Sequence, residues 1–188
     1  MKKLNATQIK YLLAALMVLD HLPHVPGLVP PLWEGIFHAM TRCVAAGFAY
    51  LAVEGFIHTR NLQRYQVRLW GAAAFMAAGN WLLNSLLANR GVHISNNIFL
   101  TLALGVSILA LAFPRQSLTT EAKRIRWAGA GFLFLTGLLL TEGGMVVLPF
   151  ILITYCCRQR KGLGTVLYLG LALILFVLSY STYDSWQE

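Results

Sequence analysis

An acidic side chain and a histidine stand four residues apart at the end of one apolar run. They are Glu54 and His58, in the stretch VEGFIHTRNLQRYQVRL. Residues spaced by four share one face of a helix, so a carboxylate there can hold an imidazole in place and raise its basicity. This spacing favours a general base. It fits equally well two satisfied polar groups at a helix end, and the spacing alone leaves both interpretations open.

Two more polar groups, Asp20 and His21, close the preceding apolar run in LMVLDHLPHVPG. As sequence neighbours they point about 100° apart on a helix, so each serves a different face. An ionisable group within an apolar span is costly and is by default a functional hypothesis. The pair is interpreted either as an acid and a base that line a site or as a polar helix end at a membrane interface.

His38 and Arg42 are also four residues apart, in the segment VPPLWEGIFHAMTR. We expect this segment to be a loop before the second span, although on a helix the two side chains would share a face. On the predicted outer side of the membrane, where positive residues are few, Arg42 needs a partner. Asp20 or a bound anion would serve. A structural salt bridge and a ligand contact both stay open.

Three arginines follow the Glu54–His58 pair at intervals of four: Arg60, Arg64 and Arg68. This spacing predicts a basic stripe. Such a stripe fits the positive charge that flanks membrane spans on the cytoplasmic side, together with contacts to lipid headgroups. It also fits a site for phosphates, such as the diphosphate of a nucleotide-like cofactor.

Asn97 opens a later apolar run and is a candidate donor to an oxyanion, although amides in spans often join helices instead. The five histidines and three cysteines show no zinc spacing, so no metal site is expected. The sequence contains no P-loop, no glycine-rich dinucleotide turn and no G-x-S-x-G elbow.

The composition is typical of an integral membrane protein. Of the 188 residues, 57% are hydrophobic and 12% charged, whereas a soluble domain carries about 25% charged residues. The mean hydropathy is +0.63. The net charge is +8, but the basic residues lie between apolar runs, which favours membrane topology over nucleic-acid binding. We interpret the basic start, MKKLNATQIK, as leading into an uncleaved first span.

The hydropathy pattern predicts an all-α transmembrane helical bundle of about seven spans in a single domain, residues 1–188. With the N-terminus in the cytoplasm, all but two of the 15 lysines and arginines fall on the cytoplasmic side, and Arg42 and Arg90 remain outside. The C-terminus then lies outside. The predicted spans are 7–22, 43–57, 69–88, 97–113, 127–141, 145–157 and 163–181.

Three stretches together resemble the TraX family over residues 9–105: LAALMVLDHL, TRCVAAGFAYLAVEGFIHTRNLQRYQVRL and NNIFLTLALG. TraX-like proteins are polytopic inner-membrane proteins of bacteria, and the founding activity of the family is N-terminal acetylation of a conjugative pilin subunit. The resemblance implies a membrane acetyltransferase that uses acetyl-CoA as co-substrate and a peptide or pilin-like acceptor. Its surroundings would be the lipids of the bacterial inner membrane.

Within that expectation we define two groups of residues. The inner cluster comprises Glu54, His58 and the arginines Arg60, Arg64 and Arg68, which would engage acetyl-CoA phosphates from the cytoplasm. The outer cluster comprises Asp20, His21, His38 and Arg42, where the acceptor would approach. A bilayer core of about 30 Å separates the two clusters, so one hydrogen-bonded site cannot contain both.

The acceptor needs a base, for which His21 is the first choice and His58 the second. Arg42 or Asn97 would stabilise the oxyanion. Direct transfer and a transiently acetylated histidine both stay open. Two other functions also fit the sequence: O-acetylation of a glycan or lipid headgroup, and a transporter or accessory membrane protein without chemistry. The oligomeric state is not predicted.

Overall fold

The computed structural model describes residues 5–22, 29–86, 88, 97–141 and 143–184. Within these ranges the chain forms seven α-helices, which confirms the predicted all-α class and the predicted number of helices. They are α1 (Ala6–His21), α2 (Pro31–His58), α3 (Leu62–Leu86), α4 (Ile98–Ala112), α5 (Thr120–Leu140), α6 (Gly144–Cys156) and α7 (Lys161–Asp184).

The second helix is much longer than its apolar run. It has 28 residues and begins at Pro31, whereas the hydropathy pattern placed its start at residue 43. Pro30 is extended at the N-cap and Pro31 takes the first helical position, where its fixed φ suits a helix and its missing N–H is not needed. The expectation of a loop for this segment is therefore wrong, and His38 and Arg42 both lie within α2.

A break between α2 and α3 divides the predicted arginine stripe. Thr59 is extended, and the Asn61 side chain accepts a hydrogen bond from the Arg64 backbone N–H at 2.9 Å, as a helix cap does. Arg60 lies between the two helices, so only Arg64 and Arg68 share a helix. The three arginines do not form one helical stripe, and α3 begins seven residues before the predicted start at 69.

The centre of the bundle is built by α4 and α6 packing against α2. The main cluster of buried side chains comprises Ala49, Ala52, Val53, Phe56, Leu102, Val106, Leu109, Val147 and Ile151. A second cluster joins α4 and α6 to α5 through Ile108, Ala112, Ala130 and Leu148. The almost wholly apolar sequences of α4 and α6 follow from this position, because both helices are covered by neighbours on several sides.

The first helix packs only along α2. Leu13, Val44 and Leu51 form its small buried cluster, and Gly47 leaves the space that the Leu13 side chain fills. A short connection joins α1 to α2, so the two helices run antiparallel. Within the described ranges, no helix combines the length and the apolar character needed to cross a membrane. The membrane topology remains a prediction.

Candidate functional site

The predicted pair of Glu54 and His58 lies in the last turns of α2, with the two side chains within hydrogen-bonding distance. The distance from His58 Nε2 to Glu54 Oε2 is 3.2 Å. The spacing of four therefore places both side chains on one face, as expected. The His58 side chain is 75% exposed and that of Glu54 is 39% exposed, so the imidazole is accessible while its carboxylate partner is partly enclosed. With Nε2 held by Glu54, Nδ1 is the ring nitrogen that remains as a candidate base.

A cavity of about 340 Å³, which we call the carboxylate cavity, opens beside Glu54 between α2, α6 and α7. Tyr50 lines the same cavity from one turn earlier on α2. Tyr50, Glu54 and His58 thus follow one another at intervals of four along α2. Sequence reasoning missed Tyr50, although the same spacing that indicated the other two residues could have found it.

Three more residues with hydroxyl groups line the carboxylate cavity from α6 and α7: Thr154, Thr165 and Tyr168. Thr154 is buried and donates to the Phe150 carbonyl oxygen at 2.7 Å. The Tyr168 hydroxyl lies 2.8 Å from Thr154 Oγ1. Since the Thr154 proton is already directed at Phe150, Tyr168 is the donor in that second bond. The Tyr168 ring stacks on Phe150, with ring centroids 4.8 Å apart, which holds its hydroxyl in place. No sequence signal singled out these three residues.

A larger cavity of about 760 Å³, which we call the basic cavity, lies at the same end of the bundle. Its described lining contains three cationic side chains and no carboxylate: Arg115, Lys123 and Arg158. They come from the α4–α5 loop, from α5 and from the end of α6. Sequence analysis used these residues only to orient the chain.

Arg115 ties the α4–α5 loop to the end of α2. Its Nη1 donates to the Thr59 carbonyl oxygen at 3.0 Å and its Nη2 to that of Phe56 at 2.7 Å. The last carbonyl groups of a helix lack intrahelical partners and carry partial negative charge, so a guanidinium is favourable there. The bond to Thr59 also places the loop directly beside Arg60, the first of the predicted phosphate-binding arginines.

The two cavities are neighbours, since Ile57 and Arg158 line both. One of them offers positive charge, and the other offers a carboxylate with four hydroxyl groups. A ligand with an anionic part and a reactive part could therefore lie across this end of the bundle. Such an arrangement suits group transfer from an anionic donor better than it suits a metal site. The described residues hold no group of three or more ligands fit for a metal ion.

The three predicted arginines lie apart from these cavities. Arg60, Arg64 and Arg68 are exposed, and none of them is among the described residues that line either cavity. Their role in holding phosphates stays a prediction. Their exposure at the same end of α2 and α3 is compatible with attraction of an anionic ligand before it enters.

Asn97 caps α4 and also joins it to α3. Its Oδ1 accepts from the Leu100 N–H at 3.1 Å, and its Nδ2 donates to the Ala73 carbonyl oxygen at 2.9 Å. Both ends of the amide are thus engaged with backbone groups. This geometry gives Asn97 a structural role, and the oxyanion role stays a prediction.

The outer cluster lies at the opposite end of the α1–α2 pair. Asp20 and His21 are the last two residues of α1, and His38 and Arg42 lie in the first half of α2. The side chains of all four residues lie outside the described part of the structure. Because Leu13 packs at Gly47 and a helix rises 1.5 Å per residue, His21 and His58 lie about 28 Å apart along the axis. The predicted separation into two clusters is therefore compatible with the helix packing.

Within the described residues these features define an all-α fold of seven helices, in which a carboxylate–imidazole pair lies at the same end of the bundle as a basic cavity. The family model described as TraX protein matches residues 5–186. The chain belongs to the TraX family. The match covers nearly the whole chain and so extends well beyond residues 9–105, on which the sequence resemblance was based. No curated protein and no solved structure matches the chain.

Proposed function

We propose that this TraX-family protein is a membrane-embedded acetyltransferase that moves an acetyl group from acetyl-CoA to the N-terminus of a peptide or pilin-like protein. The observation that carries the proposal is the Glu54–His58 pair at 3.2 Å, in which Glu54 lines the carboxylate cavity that adjoins the basic cavity with its three cations. A base with a carboxylate partner and a nearby anion site are what transfer from an anionic thioester requires. Family membership and the resemblance supply the donor and the acceptor class.

A location in the bacterial inner membrane is part of the proposal, and the surface of α7 supports it. Leu173, Ile174, Phe176, Val177 and Leu178 are all exposed. On a helix these five positions span about 200° of the circumference, so more than half of the surface of this part of α7 is apolar and exposed, while α7 also packs against α6. Water-soluble proteins rarely expose contiguous apolar surface of this extent, whereas lipid tails accommodate it.

Acetyl transfer removes one proton from the acceptor amine and replaces the C–S bond of the thioester with a C–N bond. The acceptor amine attacks the thioester carbonyl carbon, a C–N bond forms, and His58 Nδ1 takes the proton from the amine nitrogen. The tetrahedral oxyanion then collapses, the C–S bond breaks, and CoA leaves as a thiolate that takes up a proton. Glu54 holds the imidazole and stabilises its protonated form. Arg60, Arg64 and Arg68 would attract the donor phosphates from the cytoplasm.

His21 is the competing candidate for the base. In that version the donor enters at the inner cluster and its acetyl end reaches the outer cluster, where Asp20, His38 and Arg42 surround the acceptor. The two versions place the chemistry at opposite ends of α2, so substitution of each histidine separates them.

The test is acetyl transfer by the purified full chain in detergent. Acetyl-CoA is supplied with a synthetic peptide that has a free N-terminus, and the mass gain of the peptide is followed for wild type, His58→Ala and His21→Ala. A peptide with a blocked N-terminus is the control for the acceptor, and an oligosaccharide tests hydroxyl acceptors. We expect one histidine variant to lose about 100-fold or more in rate while the other stays active.

Loss with His58→Ala places the base at the inner cluster, and loss with His21→Ala places it at the outer cluster. If neither variant changes the rate, neither His21 nor His58 is the base. If wild type transfers no acetyl group to any acceptor and millimolar acetyl-CoA does not raise its thermal stability, the acetyltransferase proposal fails. A transporter or accessory role is then the better account.

A further inference from the structure

The basic cavity concentrates positive charge that no described acidic side chain neutralises. Arg115, Lys123 and Arg158 line it from three separate parts of the chain. In the part of the chain whose side chains are described, Glu54 and Glu121 are the only acids. Glu54 is paired with His58 and lines the other cavity, and Glu121 is exposed and lines neither. Like charges brought together this way repel one another, and an anion would relieve that repulsion.

Two of the three cationic side chains are held in place by neighbouring groups and still have N–H donors left for a ligand. Arg115 uses two N–H groups on α2 carbonyl oxygens and keeps the others. The Arg158 guanidinium lies over the Tyr155 ring, 5.1 Å from its centroid. A guanidinium held on an aromatic face still presents its edge, which matches the oxygens of a phosphate. These contacts orient the two guanidinium groups and leave part of their hydrogen-bonding capacity for an anion.

One wall of the basic cavity is aromatic. Phe56, Phe113 and Tyr155 all line it, and they pack on one another. The ring centroids of Phe113 and Tyr155 are 4.7 Å apart, and those of Phe56 and Tyr155 are 5.5 Å apart. A flat heteroaromatic ring can stack on such a surface. The volume of about 760 Å³ falls in the range of roughly 300–1,000 Å³ that small-molecule sites occupy.

We propose that the basic cavity is a nucleotide site in which Arg115, Lys123 and Arg158 bind the phosphates and the aromatic wall contacts the base. None of these residues belongs to the arginine series Arg60, Arg64 and Arg68 that the sequence indicated. Nucleotide binding at this site does not depend on whether the protein transfers acyl groups. Its assignment to the nucleotide end of CoA rests on the proposed function, and Arg158, which also lines the carboxylate cavity, would then connect donor binding to Glu54.

The experiment measures binding to the purified full chain in detergent by isothermal titration. The probes are CoA, 3′,5′-ADP, and two compounds that lack phosphate, pantetheine and adenosine. Lys123→Ala and Arg158→Ala test the cavity. Their matched controls are Arg124→Ala and Arg160→Ala, since both arginines are exposed, stand next to or near the tested residues, and do not line the cavity. Arg64→Ala tests the arginine series.

We expect CoA and 3′,5′-ADP to bind, and the two probes without phosphate to bind far more weakly. Lys123→Ala and Arg158→Ala should each weaken binding about 10- to 100-fold, because each removes a charged hydrogen bond to a phosphate. The two control variants should stay within about twofold of wild type, since exposed charges outside a site contribute little. If Arg158→Ala elutes as an aggregate, Arg158→Gln replaces it.

Any one of the following results would overturn the proposal. They are the absence of nucleotide binding to wild type, binding that Arg64→Ala abolishes while the cavity variants retain it, and binding of phosphatidylglycerol in mixed micelles with no binding of 3′,5′-ADP. The last would make the cavity a lipid-headgroup site. If 3′,5′-ADP binds as expected and no acetyl transfer occurs, the nucleotide site stands and the acetyltransferase proposal fails. If transfer occurs and the cavity variants bind nucleotide and react as wild type does, the nucleotide site fails and the acetyltransferase proposal stands.

Discussion

At the scale of single residues, the Glu54–His58 pair contributes little to the stability of the fold, which is compatible with its proposed role in acetyl transfer. The two side chains are 3.2 Å apart, but three quarters of the His58 side chain is exposed. An ion pair so exposed to its surroundings contributes at most about 1 kcal/mol to folding. Removing its charge should therefore affect a reaction far more than the fold.

Glu54→Gln tests this difference. The variant keeps the shape of the side chain but cannot stabilise a protonated imidazole, so the rate constant kcat for acetyl transfer should fall about 10- to 100-fold. The melting temperature should change by no more than a few degrees. Glu121→Gln is the matched control, because Glu121 is exposed at the start of α5 and lies away from both cavities. An unchanged kcat in Glu54→Gln would contradict a role for the carboxylate.

At the scale of the helices, close approach of α4 and α6 depends on a missing side chain. A Cβ added at Gly105 would overlap Ile151 Cδ1, and Leu148 is the next neighbour. Both neighbours are fully buried, so neither side chain can turn away easily. Glycine is needed here because the helices touch, whereas other glycines in the same bundle face open space.

Gly105→Ala should destabilise the protein by about 1–3 kcal/mol, the usual cost of an extra carbon in a packed core. The control is Gly79→Ala on α3, where nothing lies within 4 Å of the added Cβ. It should be neutral or stabilising by up to about 1 kcal/mol, since alanine favours a helix over glycine. Thermal unfolding in detergent measures both. Equal stability of the two variants would show that the α4–α6 contact is looser than described.

Arg126 holds the end of α4 from the neighbouring helix α5. Its Nη2 donates to the Ala110 carbonyl oxygen at 2.7 Å and its Nε to that of Leu111 at 3.3 Å. These carbonyl groups belong to the last turn of α4, where no intrahelical donor is left for them. Arg126 therefore joins α5 to α4 in the same way that Arg115 joins the loop to α2.

Arg126→Ala should cost about 1–3 kcal/mol of stability, because it leaves two partly buried carbonyl groups without their charged donor. Arg124→Ala removes the same charge from an exposed position two residues earlier and should change stability by less than about 0.5 kcal/mol. Chemical or thermal unfolding compares the two. A loss of stability as large in Arg124→Ala would point to net charge rather than to the capping bonds.

At the scale of the whole molecule, one end of the bundle collects the helix termini that carry basic residues. The ends of α2 and α6 and the α4–α5 loop meet at the basic cavity, and α7 joins them at the carboxylate cavity. In the proposed membrane orientation this end faces the cytoplasm, where acetyl-CoA is available. The distribution of lysine and arginine predicts the same orientation.

Thiol labelling tests that orientation. In a chain with its three cysteines replaced by alanine, Arg124→Cys marks the basic end and Ser85→Cys marks the far end of α3. A membrane-impermeant maleimide added to spheroplasts should label Ser85→Cys at once and Arg124→Cys only after the membrane is permeabilised. Labelling of Arg124→Cys in intact spheroplasts would reverse the predicted orientation. Equal labelling of both variants before permeabilisation would contradict a transmembrane arrangement of the bundle.

The sequence by itself determined what depends on short-range periodicity. The fourth and sixth helices lie within one or two residues of their predicted bounds, because long apolar runs with clear ends encode them. The Glu54–His58 contact was predictable because a spacing of four within one helix fixes it. The early starts of α2 and α3 were missed, since a proline pair and a single asparagine cap leave hydropathy almost unchanged.

Only the tertiary structure decided where the cavities lie and which cations share one of them. Arg115, Lys123 and Arg158 are far apart or on different elements in sequence, and they meet because α4, α5 and α6 pack around the end of α2. Thr154 and Tyr168 line one cavity with Glu54 for the same reason. Helix packing depends on the fit of many side chains at once, and a repeating pattern along one segment carries no record of which face meets which neighbour.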